Sequence, residues 1–116
     1  VSYANGAWMS LRAARTLAEK HGVRARIVDI RWLNPINHDF IAAQAKATGR
    51  VLVVDECRRA GGLGEAIVAG LTERCGGDVA VSLITADDEA IGQYVYEQGF
   101  SPRAVKPDEL FAPAVE

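Results

Sequence analysis

The chain has 116 residues, 49% of them hydrophobic and 24% charged, with 13 basic side chains against 15 acidic ones and a formal charge of −2. That size suits one domain with a single core. The scattered, nearly balanced charge offers no basic stripe for nucleic acid or an anionic membrane surface. No apolar run approaches the roughly 20 residues needed to cross a bilayer, so a cytoplasmic location is expected.

In chain order, Val1-Ser2-Tyr3-Ala4 reads as the end of a strand, and the chain does not start with Met. The expectation is therefore a piece of a longer protein, with residues 1–116 forming one domain. Asn5-Gly6 turns the chain into a helix that ends at His21-Gly22, where glycine supplies the positive φ common at helix C-termini. Trp8, Leu11, Ala14, Leu17 and Ala18 recur at three- and four-residue spacing and predict its buried face. A strand follows over 25–30, then an irregular loop from Arg31 to Asn37 marked by Pro35. Asn37 or Asp39 can cap a second helix, with Phe40, Ile41, Ala43 and Ala47 as its predicted apolar face and a stop at Thr48-Gly49.

Residues 50–55 form a strand that is apolar on both faces, as expected where helices cover both sides of a sheet. A loop from Glu56 to Gly62 leads to a helix over 63–74, which Gly76-Gly77 ends. A strand over 79–84 and a helix over about 87–98 complete the pattern, and the tail carries Pro102, Pro107 and Pro113. Strands alternating with helices at this spacing build a mostly parallel sheet between two helical layers.

Ligands of open α/β sheets gather beyond the carboxyl ends of the strands. The richest loop there holds Asp55, Glu56, Cys57, Arg58 and Arg59, followed by Gly61, Gly62 and Gly64 at a helix start. One reading is an anion site made of glycine-exposed N–H groups and guanidinium forks. Against it, Gly61-Gly62-x-Gly64 is not GxGxxG and no Lys-Ser/Thr follows. The competing reading is a tight turn in which Arg58 and Arg59 pair with Asp55, Glu56 or a neighbouring subunit. Trp32, beside Arg31, is either folded onto the core or offered to a partner, since both residue types concentrate at interfaces.

Other candidates are weak. Cys57 as a nucleophile lacks a nearby base, because His21 lies at a helix end and His38 beside another loop. His38 reads as a solvated loop histidine, and Cys57 and Cys75 as two reduced thiols with no zinc cluster around them. Tyr94 and Tyr96 fall two apart, so they point to different helix faces. Read from the residues alone, the chain is an α/β domain without a self-sufficient reactive group.

Several stretches, in order, carry a resemblance. These are the glycine-led helix Gly6 to Gly22 with Leu11, Ala13, Ala14 and Leu17; His21 to Pro35, ending in D-I-R-W-L-N-P; Thr48 to Glu56, T-G-R-V-L-V-V-D-E; and Gly61 to Ile67. Together they resemble the C-terminal domain shared by transketolases and the β subunits of 2-oxoacid dehydrogenase E1 components, chiefly over 3–71. The resemblance implies a three-layer α/β/α domain with a mostly parallel, mixed sheet of about five strands. Arg58-Arg59-Ala60-Gly61-Gly62 looks most like the E1 β type, whose parent enzymes decarboxylate a 2-oxoacid oxidatively and pass the acyl group to a lipoyl E2. The stretch from Asp87 to Val105 is closer to transketolase and deoxyxylulose-phosphate synthase, which keeps a ketol-transferring parent as the alternative. An alternative of another class is a free-standing phosphate- or nucleotide-binding module.

In such families thiamine diphosphate and Mg²⁺ are held by the two preceding domains. The resemblance therefore transfers no catalytic, cofactor-binding or metal-binding residue to this chain, which is expected to be inactive alone. It implies oligomer contacts, an E1 α/β assembly and an E2 acyltransferase as partner. On this reading Arg31, Trp32, Asp55, Glu56, Arg58, Arg59, Gly61, Gly62 and Gly64 belong to an interface or a channel rim.

Overall fold

A computed structural model describes residues 1–87. Helix α1 spans Ala4–His21, α2 His38–Thr48 and α3 Leu63–Cys75; strand β1 spans Arg50–Val54 and β2 Ala80–Ile84. The predicted helix over 87–98, Tyr94, Tyr96 and the proline-bearing tail lie outside the described residues.

The two strands run parallel, with Val53 beside Leu83 and Val54 beside Ile84. Two shorter extended runs widen this sheet. The Val1 nitrogen donates to the Leu52 carbonyl at 2.8 Å, and Val54 N–H donates to Val1 O at 2.9 Å. On the far side Ser2 N–H donates to Val28 O at 3.0 Å, and Ile30 N–H to Ser2 O at 2.8 Å. Among the described residues the order across the sheet is thus 28–30, 1–2, β1, β2, all parallel, with 28–30 outermost. The predicted strands over 1–4 and 25–30 shrink to a single bridge between Ser2 and Asp29, because α1 starts at Ala4 and leaves no longer run for residues 25–30 to pair with. A fifth strand is absent among the described residues.

The core lies between the sheet and α2 with α3, built from Ile30, Ile41, Ala42, Ala45, Val53, Ile67, Leu71, Cys75 and Val79. Val1 and Tyr3 pack against it, so Ser2, between them, faces the other way. There α1 approaches so closely that a methyl group on Gly6 would overlap the Ser2 hydroxyl. Helix α1 therefore covers one side of the sheet and α2 with α3 the other.

Which helix faces are buried corrects the apolar periodicity. In α1 the buried residues are Gly6, Ala7 and Met9, whereas Trp8 is 70% and Leu11 52% exposed. Ser10, Ala13, Ala14 and Leu17 are half-buried, and the side chains nearest the sheet, at Gly6 and Ala7, are small because the helix start sits close to Ser2 and Val54. In α2 the buried set is Ile41, Ala42 and Ala45. Phe40 is 51% exposed, and Ala43 and Ala47 are on the surface. In strand β1, Val53 is fully buried on the α2–α3 side, while Leu52 on the other face is 44% exposed.

The helix ends follow the sequence signals. Asn37 Oδ1 accepts from Phe40 N–H at 3.1 Å, and the α2 C-cap Gly49 takes φ 74°. The α1 C-cap Gly22 takes φ 65°. Helix α1 starts two residues before the predicted Gly6, with Ala4 itself at φ 47°, a left-handed conformation that is unusual for a residue with a Cβ. Among the described residues no helix is long and apolar enough to cross a membrane.

A candidate interface at the strand ends

The loop after β1 is organised around one carboxylate. Asp55 is 1% exposed. Its Oδ1 accepts from the Tyr3 hydroxyl at 2.5 Å and from Cys57 N–H at 3.0 Å, and its Oδ2 accepts from Gly64 N–H at 2.6 Å. Gly64 lies in the first turn of α3, so Asp55 satisfies one of the orphan donors of that helix and places negative charge at its positive end. Burial, followed by the hydrogen bond to Asp55, raises the Tyr3 hydroxyl pKa well above its ordinary value.

The glycines of this loop have separate physical reasons. Gly61 takes φ 69°, which L side chains rarely adopt. A methyl group on Gly62 would overlap the Arg58 carbonyl, and one on Gly64 would come within 2.7 Å of Leu83 Cδ1 and 3.0 Å of Asp55. Glu65 Oε2 reaches back to accept from Gly61 N–H at 2.6 Å. Two of the amides that an anion would need are thus already held by the chain's own carboxylates.

Arg58 and Arg59 do not pair with Asp55 as one sequence reading had it, because Asp55 is turned inward onto Tyr3 and the backbone. Arg58 Nε donates to Ala60 O at 3.1 Å, and an Arg59 guanidinium nitrogen to Leu83 O at 3.4 Å. The Arg59 backbone N–H donates to Asp87 Oδ2 at 2.8 Å, and Glu56 Oε1 accepts from Asn5 Nδ2 at 3.1 Å. Glu56, Arg58, Arg59 and Gly61 remain at the surface.

Arg31 and Trp32 follow the run 28–30 at the edge of the described sheet, at the same end of its parallel runs as this loop. Trp32 is 71% exposed, so it is not folded onto the core. Arg31 Nε is 2.6 Å from Asp29 Oδ2. Two concavities flank this edge and share Asp29 and Arg31. One, of about 530 Å³, is lined by Ala4, Asn5 and Trp8 on the α1 side. The other, of about 210 Å³, has Val28, Ile30, Trp32, Phe40 and Ile41 in its wall on the α2 side. Trp8 and Phe40 were expected in the core; the signal that could have freed them is the competing stripe of small residues in α1 and of Ala42 and Ala45 in α2.

The histidines also find places. His38 is no solvated loop residue: it opens α2, is half-buried, and its ring packs on α3 where Gly70 leaves room for it. Arg74 of α3 pairs with the adjacent Asp39 at 2.8 Å and holds that carboxyl below its usual pKa, chiefly through the hydrogen bond. Both cysteines are free thiols, Cys75 in the core and Cys57 half-buried. Among the described residues, no group of three His, Cys, Asp or Glu is placed to hold a metal ion.

The family described as "Transketolase, C-terminal domain" matches residues 1–105. Among curated relatives, the chain is similar to the pyruvate dehydrogenase E1 component subunit beta of Staphylococcus aureus, with 45% identity over 65 residues covering 56% of this chain and 20% of that protein. The subunit of the same description from Staphylococcus epidermidis is 39% identical over 74 residues, covering 64% of this chain and 22% of that protein. The chain thus spans about a fifth of the length of the curated relatives it matches.

Proposed function

Because the chain belongs to the transketolase C-terminal domain family, we propose that it is the assembly and partner-docking domain of a 2-oxoacid dehydrogenase E1 component of the β type. On this reading the parent enzyme decarboxylates a 2-oxoacid oxidatively and hands the acyl group to a lipoyl-bearing E2. The domain contributes contacts to the E1 α/β assembly in the cytoplasm and no chemistry of its own. The similarity to pyruvate dehydrogenase E1 subunits beta supports this parent over a ketol-transferring one.

The observation that carries the reading is how the strand ends are used. Asp55 and Glu65 occupy the Gly64 and Gly61 amides, while Trp8, Arg31, Trp32 and Phe40 are turned to solvent. Aromatic and arginine side chains so displayed are the usual anchors of protein interfaces.

The Gly61–Gly64 turn is a poor place for thiamine diphosphate and Mg²⁺. A diphosphate needs free N–H donors at a helix start, and the Gly61 and Gly64 amides face carboxylates of their own chain. Mg²⁺ needs clustered oxygen ligands, and among the described residues no such group of acids is present. Both would be held by other domains of the parent.

The test is alanine substitution of Trp32, Arg58 and Arg59 in the full-length subunit. Sedimentation velocity should show weakened assembly and a steady-state assay lowered turnover. Unchanged assembly, E2 binding and turnover would remove the interface assignment.

A further inference from the structure

Among the described residues other than glycine, Ala4 alone takes a positive φ, at 47°. For a residue with a Cβ this left-handed region is disfavoured about fivefold to thirtyfold in population. Such a conformation persists only where its surroundings over-determine it, and here they do so from both sides. Tyr3 is extended, at φ −148° and ψ 167°, and α1 begins at Ala4 itself, so this one residue turns the chain from sheet to helix. Its neighbours are fastened to three consecutive residues at the end of β1 and the start of the next loop. Ser2 Oγ donates to Val54 O at 2.8 Å, Tyr3 Oη to Asp55 Oδ1 at 2.5 Å, and Asn5 Nδ2 to Glu56 Oε1 at 3.1 Å. Gly6 then lies against the Ser2 hydroxyl with no space for a Cβ.

Asp55 belongs to two sets of contacts at once. The Oδ1 that accepts from Tyr3 also accepts from Cys57 N–H, and Oδ2 accepts from Gly64 N–H. The loop over 56–62 is thus held at both ends by the carboxylate that holds Tyr3. We propose that Ala4 and Asp55 form a strained joint that couples the start of α1 to the loop carrying Arg58 and Arg59. In the closed state Ala4 is left-handed and Asp55 caps α3. When Asp55 leaves Cys57 and Gly64 it also releases Tyr3, Ala4 relaxes, and both amides open to water. Strain at Ala4 therefore biases the loop toward opening by about fivefold to thirtyfold. By the same linkage, whatever steadies the start of α1 steadies the arginine loop, and the reverse holds by an equal factor. Glycine would make the turn without strain, so the bias belongs to the Ala4 methyl group.

The coupling goes beyond the assembly reading and does not depend on it. Hydrogen exchange of the full-length subunit, resolved to single amides, tests it. In Ala4→Gly the Cys57 and Gly64 amides should exchange about fivefold to thirtyfold more slowly, measured against the Ile67 amide as a reporter on the core. In a Tyr3→Phe background the fastening to Asp55 is cut, and adding Ala4→Gly should change neither amide. Unchanged or faster exchange at Cys57 and Gly64 in Ala4→Gly would show that the strain does not reach the loop. Equal slowing with and without the Tyr3 hydroxyl would show that it travels by a path other than Asp55, which also overturns the joint. Subunit assembly does not enter this readout, so the joint and the assembly reading fail separately.

Discussion

Asp55 Oδ2 accepts the Gly64 amide at 2.6 Å, so a carboxylate at the end of β1 caps the first turn of α3 from across the loop. The contact is so close that Gly64 has no space for a Cβ. This one bond fixes the path of the chain between strand and helix, and with it the position of Arg58 and Arg59. It explains in the same stroke an acid and a glycine that the bare sequence offers as an anion site.

Replacing Asp55 by Asn therefore tests the loop's architecture. The amide would present N–H₂ where the carboxylate now accepts from Tyr3, Cys57 and Gly64. At least one buried donor would lose its acceptor, at a cost of about 1–3 kcal/mol. Urea denaturation should show a lower midpoint at an unchanged slope. A wild-type midpoint for Asp55→Asn would mean that the carboxylate does not hold this loop.

The Tyr3 hydroxyl gives a pH dependence with a definite sign. It must keep its proton to donate to Asp55, and burial together with that bond raises its pKa in the folded state. A raised folded pKa contributes stability that is fully present below the unfolded value, near about 10 for tyrosine, and is lost as pH rises beyond it. Thermal melting should therefore show stability declining above about pH 10, with a shallower decline in Tyr3→Phe. Equal slopes in the two proteins would detach Tyr3 from the effect.

Gly70 and His38 should be coupled. The imidazole lies where a Cβ on Gly70 would stand, so Gly70→Ala forces α2 and α3 apart or displaces the ring. Overpacking of this kind costs about 1–3 kcal/mol. His38→Ala makes room, and in a double-mutant cycle the loss from Gly70→Ala should shrink by more than about 0.5 kcal/mol. Strict additivity would show that the ring does not pack on Gly70 in solution.

Two apolar residues that look alike in the sequence should behave differently. Ile67 is fully buried in the core, and Ile67→Ala should cost about 2–5 kcal/mol. Trp8, at 70% exposure, should change stability by no more than about 0.5 kcal/mol when replaced by alanine. A large loss from Trp8→Ala would return α1 to the orientation that its large apolar residues suggest.

Much of the fold is legible in the residues themselves. The order of strands and helices, the Asn37 cap and the glycine stops at Gly22 and Gly49 follow from local chemistry: short polar side chains that accept amides and residues that tolerate positive φ. The candidate site was less legible. Asp55, Glu56, Arg58 and Arg59 are neighbours in sequence, yet one is buried as a cap and the others stay at the surface. Arg31 and Trp32 stand out by residue type, while Trp8 and Phe40 beside them were hidden by a periodicity that suited a core.

Sequence alone determined where α2, β1, α3 and β2 lie and where α1 ends, because those choices rest on interactions within a few residues. Only the tertiary structure decided which side of α1 and α2 faces the sheet. That choice depends on how near two backbones come, and at Gly6 against Ser2 or Gly70 against His38 the approach selects the smallest side chain rather than the most apolar one. The large side chains Trp8 and Phe40, which apolar periodicity places inside, are exposed instead.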